Sequence, residues 1–395
     1  MNILYWLRSH PSASSFVSRE IQALINQGHN IAVFSQANKG RLPDTSVIDI
    51  ENLESAYCPV SLQNLRYLFK NKYYSIKTAK KAVYDDVVKY SPITLTQYAK
   101  GAEFVSNLDM KIDHIHCHFA TRSQFPALYL SDMLGVPLTV TVHAVDIFEP
   151  PIPRYRNKML ELSNHIITIS EYNREYIQDK LDITGTPIDV IRAGVDPQKF
   201  NIQKKTVTNK IATVASPADK KDYPTAIRAI SIIDDVIDGL EYNIIGWEKK
   251  EAPEIVELID RLELEDTINI LGKIPDLKLK NEVSSAELFI LPSRVTEGGD
   301  RDGIPVALME AMALETPPVS TNVSGIPELI ENGINGYLVQ QESPKELSQC
   351  ILNALEYDLS EIGKNGRKKI KSEFNINTES DKLEEVFETY HTDMA

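Results

Sequence analysis

Apolar residues fall in short runs separated by stretches with helical spacing. Residues 3–7 read as a buried strand. Over 16–27, Val17, Ile21, Leu24 and Ile25 recur at helical spacing, and Gly28 supplies a C-terminal stop. Residues 31–34 form the next run, and this strand–helix–strand start predicts a parallel sheet. Further strands are expected at 112–118, 138–142, 165–169 and 188–191, with a helix capped by Ser170 between the last two. The second half repeats the scheme at 211–215, 242–245, 268–271, 288–291, 318–321 and 337–339. Two successive α/β units predict two Rossmann-like doubly wound domains, each with its ligand edge at the strand C-termini. The least patterned junction, 194–209, reads as the linker. The expected domains are 1–200 and 201–375, with a last helix within 376–395.

Composition changes little of this. The 395 residues, 42% hydrophobic and 25% charged, are those of an ordinary globular enzyme of two to three domains. Three cysteines, Cys58, Cys117 and Cys350, are too few for a disulfide framework and suit a reducing compartment. No apolar run approaches the ~18–20 residues of a membrane span. The N-terminal run is too short for a signal-peptide core, so a cytoplasmic location is expected. The net charge of −14 argues against nucleic acid as a partner. That charge is uneven: residues 1–200 sum to +1 and residues 201–395 to −15. Gly-x-Gly-x-x-Gly is absent, which weakens a dinucleotide-dehydrogenase reading.

The most informative stretch runs from Pro292 to Val339. An apolar strand ends at Leu291, a polar glycine-rich loop follows, and Pro305 stands where a helix begins. Free backbone N–H groups and the positive end of the dipole suit a phosphate there. Glu310, inside that helix, is placed to accept from a vicinal diol such as a ribose.

Here the chain resembles glycosyltransferase family 4, retaining enzymes of the GT-B fold with two Rossmann-like domains facing a central cleft. The matching elements are Pro292-Ser293, Gly303-Ile304-Pro305, Glu310-Ala311-Met312-Ala313, Gly325-Ile326-Pro327-Glu328 and Asn335-Gly336-Tyr337-Leu338-Val339. The resemblance extends to His114–Ala120, to Thr141–Ile147 with His143 and Asp146, and to Ile191–Phe200. The longer signature loop is similar to that of exopolysaccharide and colanic-acid enzymes.

The resemblance implies site roles. Glu310 binds the ribose, Asp302 meets the transferred sugar, and the backbone at Gly303, Ile304 and Pro305 faces sugar and phosphates. His143 contacts the donor sugar near the reacting carbon. Lys221, with Lys220 as alternate, neutralises the leaving diphosphate, and backbone near Ile274 meets the base. Two departures stand out. The signature Glu is Asp302, and the arginine usual five residues before the lysine is Ser216. Arg301 or Arg294 could replace that arginine. Glu297-Gly298 imitates the motif without a Glu at the required spacing.

Ser14 and Ser15 precede the first helix, where they could receive an acceptor or simply cap the helix. Asp146 could orient an acceptor hydroxyl or His143, or serve as a structural cap. His118 is expected nearest the acceptor. His114, His116 and His118 share one strand face with Cys117 opposite. Three aligned histidines could hold zinc, but the family needs no metal and no cofactor, so neither is expected. Residues 61–90 carry seven basic and two acidic residues among six aromatics. That composition suits an anionic membrane surface or a solvated helix pair.

The expected function is transfer of a sugar from a nucleoside-diphosphate sugar to a saccharide or lipid-linked acceptor, in cell-surface polysaccharide synthesis. The chain would then work in the cytoplasm or peripherally on the inner membrane face. A catalytically weak or regulatory nucleotide-binding relative, or a nucleotide-sugar epimerase or phosphorylase of the same architecture, are the alternatives.

Overall fold

A computed structural model describes residues 1–9, 14–35, 54–57, 92–148, 153–200 and 206–391, with backbone alone at 54–57 and 92–96. Cys58 and the basic aromatic segment 61–90 lie outside the described residues. The chain divides into two compact units. The first comprises Met1–Ile169, Arg174–Arg192 and Ser380–Ala395, and the second Ser170–Asn173 and Ala193–Glu379.

The elements of the first part are β1 (Asn2–Leu7), α1 (Ser15–Asn26), β2 (Asn30–Ser35), β3 (Glu54–Tyr57), α2 (Pro92–Ser106), β4 (His114–His118), α3 (Pro126–Leu134), β5 (Leu138–Val142), α4 (Ala144–Phe148), α5 (Pro153–Leu162), β6 (His165–Thr168), α6 (Glu171–Leu181) and β7 (Ile188–Val190). They build a seven-stranded sheet in the order β3-β2-β1-β4-β5-β6-β7, with every pairing among the described residues parallel. Helices cover both faces, so the central strands read as unbroken apolar runs. Ile115 and Cys117 join one core layer with Leu4, Trp6 and Val140. Ile3, Tyr5 and Leu7 face the other layer with Leu24. The histidines of β4 lie on that second face, opposite Cys117, as the strand alternation requires.

The second part continues with β8 (Lys210–Val214), α7 (Tyr223–Ile233), β9 (Glu241–Ile245), α8 (Pro253–Arg261), β10 (Ile268–Gly272), α9 (Asp276–Ser285), β11 (Leu288–Leu291), α10 (Val306–Ala313), β12 (Pro318–Thr321), α11 (Ile326–Leu329), β13 (Tyr337–Val339), α12 (Pro344–Leu355), α13 (Ser360–Glu373) and α14 (Ile376–His391). Its six strands take the order β10-β9-β8-β11-β12-β13, again parallel. Two core layers enclose the sheet, one around Trp247 and Tyr242 and the other around Phe289 and Met312. The end of α14 returns Leu383 and Phe387 to the core of the first unit beside Ile3 and Tyr5.

The expected strands form within two residues of their expected bounds, the largest shift being β4, which starts at His114 rather than at Ile112. The edge strand β3 was not expected. The stretch 194–209 is not simply a linker. Val195 is fully buried and bridges to Asn375, and Phe200 packs in the second core. Gly194 makes this approach possible, because a Cβ there would lie 2.6 Å from the backbone of Ile376.

Candidate functional site

In each sheet the strand order reverses between two neighbours, β1 and β4 in the first and β8 and β11 in the second. The loops leaving such strands diverge and open a crevice at their C-terminal ends, where doubly wound sheets bind ligands. Ser216, Lys220, Lys221 and 301–305 lie on the loops leaving β8 and β11, His118 ends β4, His143 follows β5, and Ile274 follows the edge strand β10.

In the second unit the loop after β8 approaches the turn after β9. Gly246 has φ +121°, and a Cβ there would lie 2.7 Å from the Ala215 carbonyl oxygen. Ser216 is exposed. Lys220 and Lys221 follow in a single turn of 3-10 helix, and Asp222 then caps α7 by accepting from Thr225 N at 3.2 Å. The loop after β11 is pinned from β12: Ser320 Oγ donates to the Leu291 carbonyl at 2.6 Å, and Thr321 donates to the Ser293 carbonyl.

The two loops meet at Asp302, which is 9% exposed. Its Oδ2 accepts from Lys221 Nζ at 2.7 Å and from Ser293 Oγ at 2.8 Å. Lys220 Nζ lies 3.0 Å from Asp300 Oδ1 and 3.9 Å from Asp302 Oδ1. Arg294 N donates to the Lys220 carbonyl at 2.9 Å, and the Arg294 guanidinium pairs with Asp219 and Glu342. Those carboxylates hold the Arg294 pKa above its usual value, with Asp219 the larger influence. Arg301 instead donates to the Gly299 carbonyl at 3.0 Å and to Tyr172 Oη at 3.1 Å. Gly303, Ile304 and Pro305 are buried beneath the start of α10, and Glu310 is half-buried one turn into it. Ile274 lies beyond β10, after Gly272, whose φ of +72° and missing Cβ admit the Glu248 carboxylate. The structure thus joins Lys221 to Asp302. It adds two partners the sequence reading had not assigned, Ser293 and Asp300.

In the first unit, a cavity of about 350 Å³ opens at the switch point, lined among others by Arg8, Ser14, His118, Phe119 and Val145. Ser14 is the N-cap of α1 but makes no side-chain cap bond, and Ser15 is exposed. Asp146 is fully buried. Its carboxylate accepts from His143 N and Ala120 N, each at 2.7 Å. That bond to His143 is the acidic half of a capping box at the start of α4. Burial pushes the Asp146 pKa up to about 7, against these two backbone bonds. Asp146 therefore acts as a cap that holds the loop after β4 to His143.

His143 is 8% exposed, and burial lowers its pKa to about 3. Its Nε2 lies 3.1 Å from His118 Nδ1, and His118 Nε2 lies 2.9 Å from Glu20 Oε1. Tyr5 Oη donates to the same oxygen at 2.7 Å. Glu20 was missed from sequence, although Phe16, Val17 and Leu24 at i−4, i−3 and i+4 place it beside the apolar face of α1. Glu20, His116 and His118 bring three potential metal-ligand atoms within 4.8 Å of one another. In the structure His118 Nε2 hydrogen-bonds Glu20 at 2.9 Å, and His116 Nε2 lies 3.2 Å from Thr141 Oγ1.

Comparison with known proteins reads the same two halves. Residues 13–199 match the model of Glycosyltransferase Family 4, and residues 195–369 match that of Glycosyl transferases group 1. The chain belongs to the family 4 glycosyltransferases. Among curated relatives of this family member, AmsK of Erwinia amylovora, an amylovoran biosynthesis glycosyltransferase, is 36% identical over 53% of this chain and 54% of its own length. WcaL of Escherichia coli, a putative colanic acid biosynthesis glycosyltransferase, is 32% identical over 59% of each chain. The chain thus spans a little over half the length of these relatives. Anabaena HepE in complex with UDP superposes with a TM-score of 0.75 at 15% identity, over 98% of this chain and all of HepE, which establishes the GT-B fold.

Proposed function

We propose that the chain transfers a sugar from a nucleoside-diphosphate sugar to a saccharide or lipid-linked acceptor, with retention of anomeric configuration and without a metal ion or cofactor. The observation that carries this reading is the Lys221–Asp302 pair at the switch point of the second sheet, beside the N-terminus of α10. The crevice offers a cation for a diphosphate and a carboxylate for sugar hydroxyls within one pair. Lys221, helped by Lys220, neutralises the departing diphosphate. The backbone at Gly303, Ile304 and Pro305 faces its phosphates, Glu310 takes the ribose hydroxyls, and the base lies near Ile274. Arg301 steadies the signature loop, while Ser216 leaves backbone and hydroxyl contacts only. His143 contacts the sugar near the anomeric carbon. As the anomeric carbon–oxygen bond breaks, the acceptor oxygen bonds to the same face. Its proton passes to the leaving phosphate oxygen.

The cavity beside Ser14 and His118 is the proposed acceptor end, with exposed Ser15 the next residue along α1 and Asp146 acting through its caps. AmsK and WcaL act, by name, in amylovoran and colanic acid biosynthesis, which supports cell-surface polysaccharide as the product class. No described helix is long and apolar enough to cross a membrane. We place the enzyme in the cytoplasm, peripherally on the inner membrane face. There, residues 61–90 would meet anionic lipid and a lipid-linked acceptor.

A panel of nucleoside-diphosphate sugars, with and without saccharide acceptors and with EDTA, tests the reading. Acceptor-stimulated release of nucleoside diphosphate that survives EDTA, with an unchanged anomeric configuration in the product, is expected. Release indifferent to acceptor would refute transfer.

A further inference from the structure

The transfer reading uses His143 but not the three side chains behind it. Tyr5, Glu20 and His118 lead from the core of the first unit to His143 in an unbroken series of hydrogen bonds of 2.7, 2.9 and 3.1 Å. An ionised carboxylate only accepts, and a phenol hydroxyl already donates to Oε1 of Glu20. With Tyr5 Oη donating to Glu20 Oε1, the 2.9 Å contact of that same oxygen with His118 Nε2 calls for an N–H donor, which places the proton between them on His118 Nε2. In a neutral imidazole the other nitrogen is then a bare acceptor. His118 Nδ1 therefore accepts from His143 Nε2–H, and the remaining nitrogen of His143 carries no proton. Among the described residues, His143 Nδ1 has no hydrogen-bond partner.

The rings are fixed as well as protonated in order. His118 and His143 stack at 5.4 Å with 20° between their planes. Phe16 and Phe119 pack on His143 at 4.8 and 4.6 Å. Asp146 holds the His143 backbone from below. His118 itself is 1% exposed and cannot turn its ring to exchange nitrogens without breaking both of its bonds. The sheet supplies a parallel restraint on the neighbouring ring. His116 Nδ1 lies 2.7 Å from Thr139 Oγ1 and its Nε2 lies 3.6 Å from Glu20.

We propose that Tyr5, Glu20 and His118 form a positioning relay that locks His143 in the Nε2–H tautomer, so that it offers a bare Nδ1 as acceptor to a substrate hydroxyl. The relay deepens the transferase reading and rests on it for the identity of that hydroxyl. Its structural core stands without it. A donor at Nδ1 would bond the hydroxyl lone pair and turn the hydroxyl proton away, whereas a fixed acceptor orients the hydroxyl proton toward the ring.

The test is the imidazole ¹⁵N–¹H correlation spectrum of the full chain, labelled at histidine, without ligand at neutral pH. His143→Asn and His118→Gln provide the assignments. Expected are His143 protonated at Nε2 alone and His118 protonated at Nε2 alone. His143 protonated at Nδ1, or His118 protonated at both nitrogens, overturns the proposal whatever the protein catalyses. In Glu20→Leu the His143 signal should become a mixture of tautomers, and an unchanged tautomer would remove Glu20 from the relay. If transfer is established, His143→Asn, whose amide oxygen can stand at the Nδ1 position, should keep about ten-fold more kcat than His143→Gln. Equal losses would refute the acceptor role while leaving the transferase reading intact.

Discussion

Lys221→Met is the sharpest probe of the second-unit site, because Lys220 beside it is an internal control. At an effective dielectric constant of about 20, charges 2.7 Å apart attract by about 6 kcal/mol and charges 3.9 Å apart by about 4 kcal/mol. Lys220 is also committed to Asp300 at 3.0 Å, so it is the weaker partner of Asp302 on both counts. Stripping a buried carboxylate of its only cation typically costs about 3–5 kcal/mol. Here Ser293 still donates and Lys220 can close in, so about 2–3 kcal/mol is expected, a fall of about 4–10 °C in the melting of the second unit. Catalysis should suffer more. A charge lost from the leaving group's cradle costs about 10²–10³ in kcat. Lys220→Met should cost about ten-fold by the same reasoning, since its cation stands one shell back. Steady-state release of nucleoside diphosphate, with calorimetric melting of each variant, reads both numbers. If Lys220→Met is the more damaging, or if Lys221→Met keeps kcat within a factor of about three, Lys221 is not the leaving-group cation.

The other predictions concern pH, one glycine and Asp302. Burial lowers His114 and His143 each to about 3, so both are neutral in the folded state and take up protons only on unfolding below about 6.5. Their contribution is full above that pH and is lost towards pH 3, by up to about 3 kcal/mol per histidine at pH 4. Asp146, raised to about 7, has the opposite sign and gains stability from pH 7 down to about 4, but it is one group against two. Denaturant midpoints that hold level from pH 7 to pH 4 would refute this balance. Gly246→Ala places a Cβ against the Ala215 carbonyl at φ +121° and should cost about 1–3 kcal/mol while raising the KM for the donor; unchanged melting would contradict the crowding. Asp302→Glu restores the usual signature acid but adds a methylene where Lys221 already sits at 2.7 Å, so kcat should fall rather than rise. Asp302→Asn should narrow the difference in affinity between nucleotide sugar and free nucleoside diphosphate, measured by calorimetry; an unchanged gap would separate Asp302 from the sugar.

Much of the architecture was legible because a parallel sheet buried on both faces writes its strands as unbroken apolar runs. The strand β3 escaped because Glu54-Ser55-Ala56-Tyr57 forms no such run; it is recruited at the edge by pairing with β2. The Lys221–Asp302 pair spans eighty-one positions, and only motif resemblance marked both ends. Asp300 and Ser293 lay within the same motif, but nothing in their spacing says which lysine each supports. Glu20 carried a signal that went unread. It stands four residues from both Phe16 and Leu24, so it borders the apolar face of α1, and it joins a histidine series when α1 packs across β4. Asp146 is the reverse case: its motif position left chemistry and a structural cap both open, and its two backbone partners make it a cap.

The second half of the chain carries −15, yet it holds the crevice proposed for an anionic donor. Its charges resolve the conflict locally. Lys220, Lys221 and Arg294 are each already paired with Asp300, Asp302, Asp219 or Glu342. A diphosphate entering this site would not fill a vacant positive field; it would take Lys221 from Asp302. That exchange is favourable only if the carboxylate gains something in return, since a buried charge left without a partner is costly. The sugar hydroxyls of a complete donor can supply those hydrogen bonds, whereas a nucleoside diphosphate alone cannot. Under the proposed function, the ion pair would thus couple phosphate binding to sugar binding. An acidic domain can then select an intact nucleotide sugar over its own anionic product without a net attractive charge.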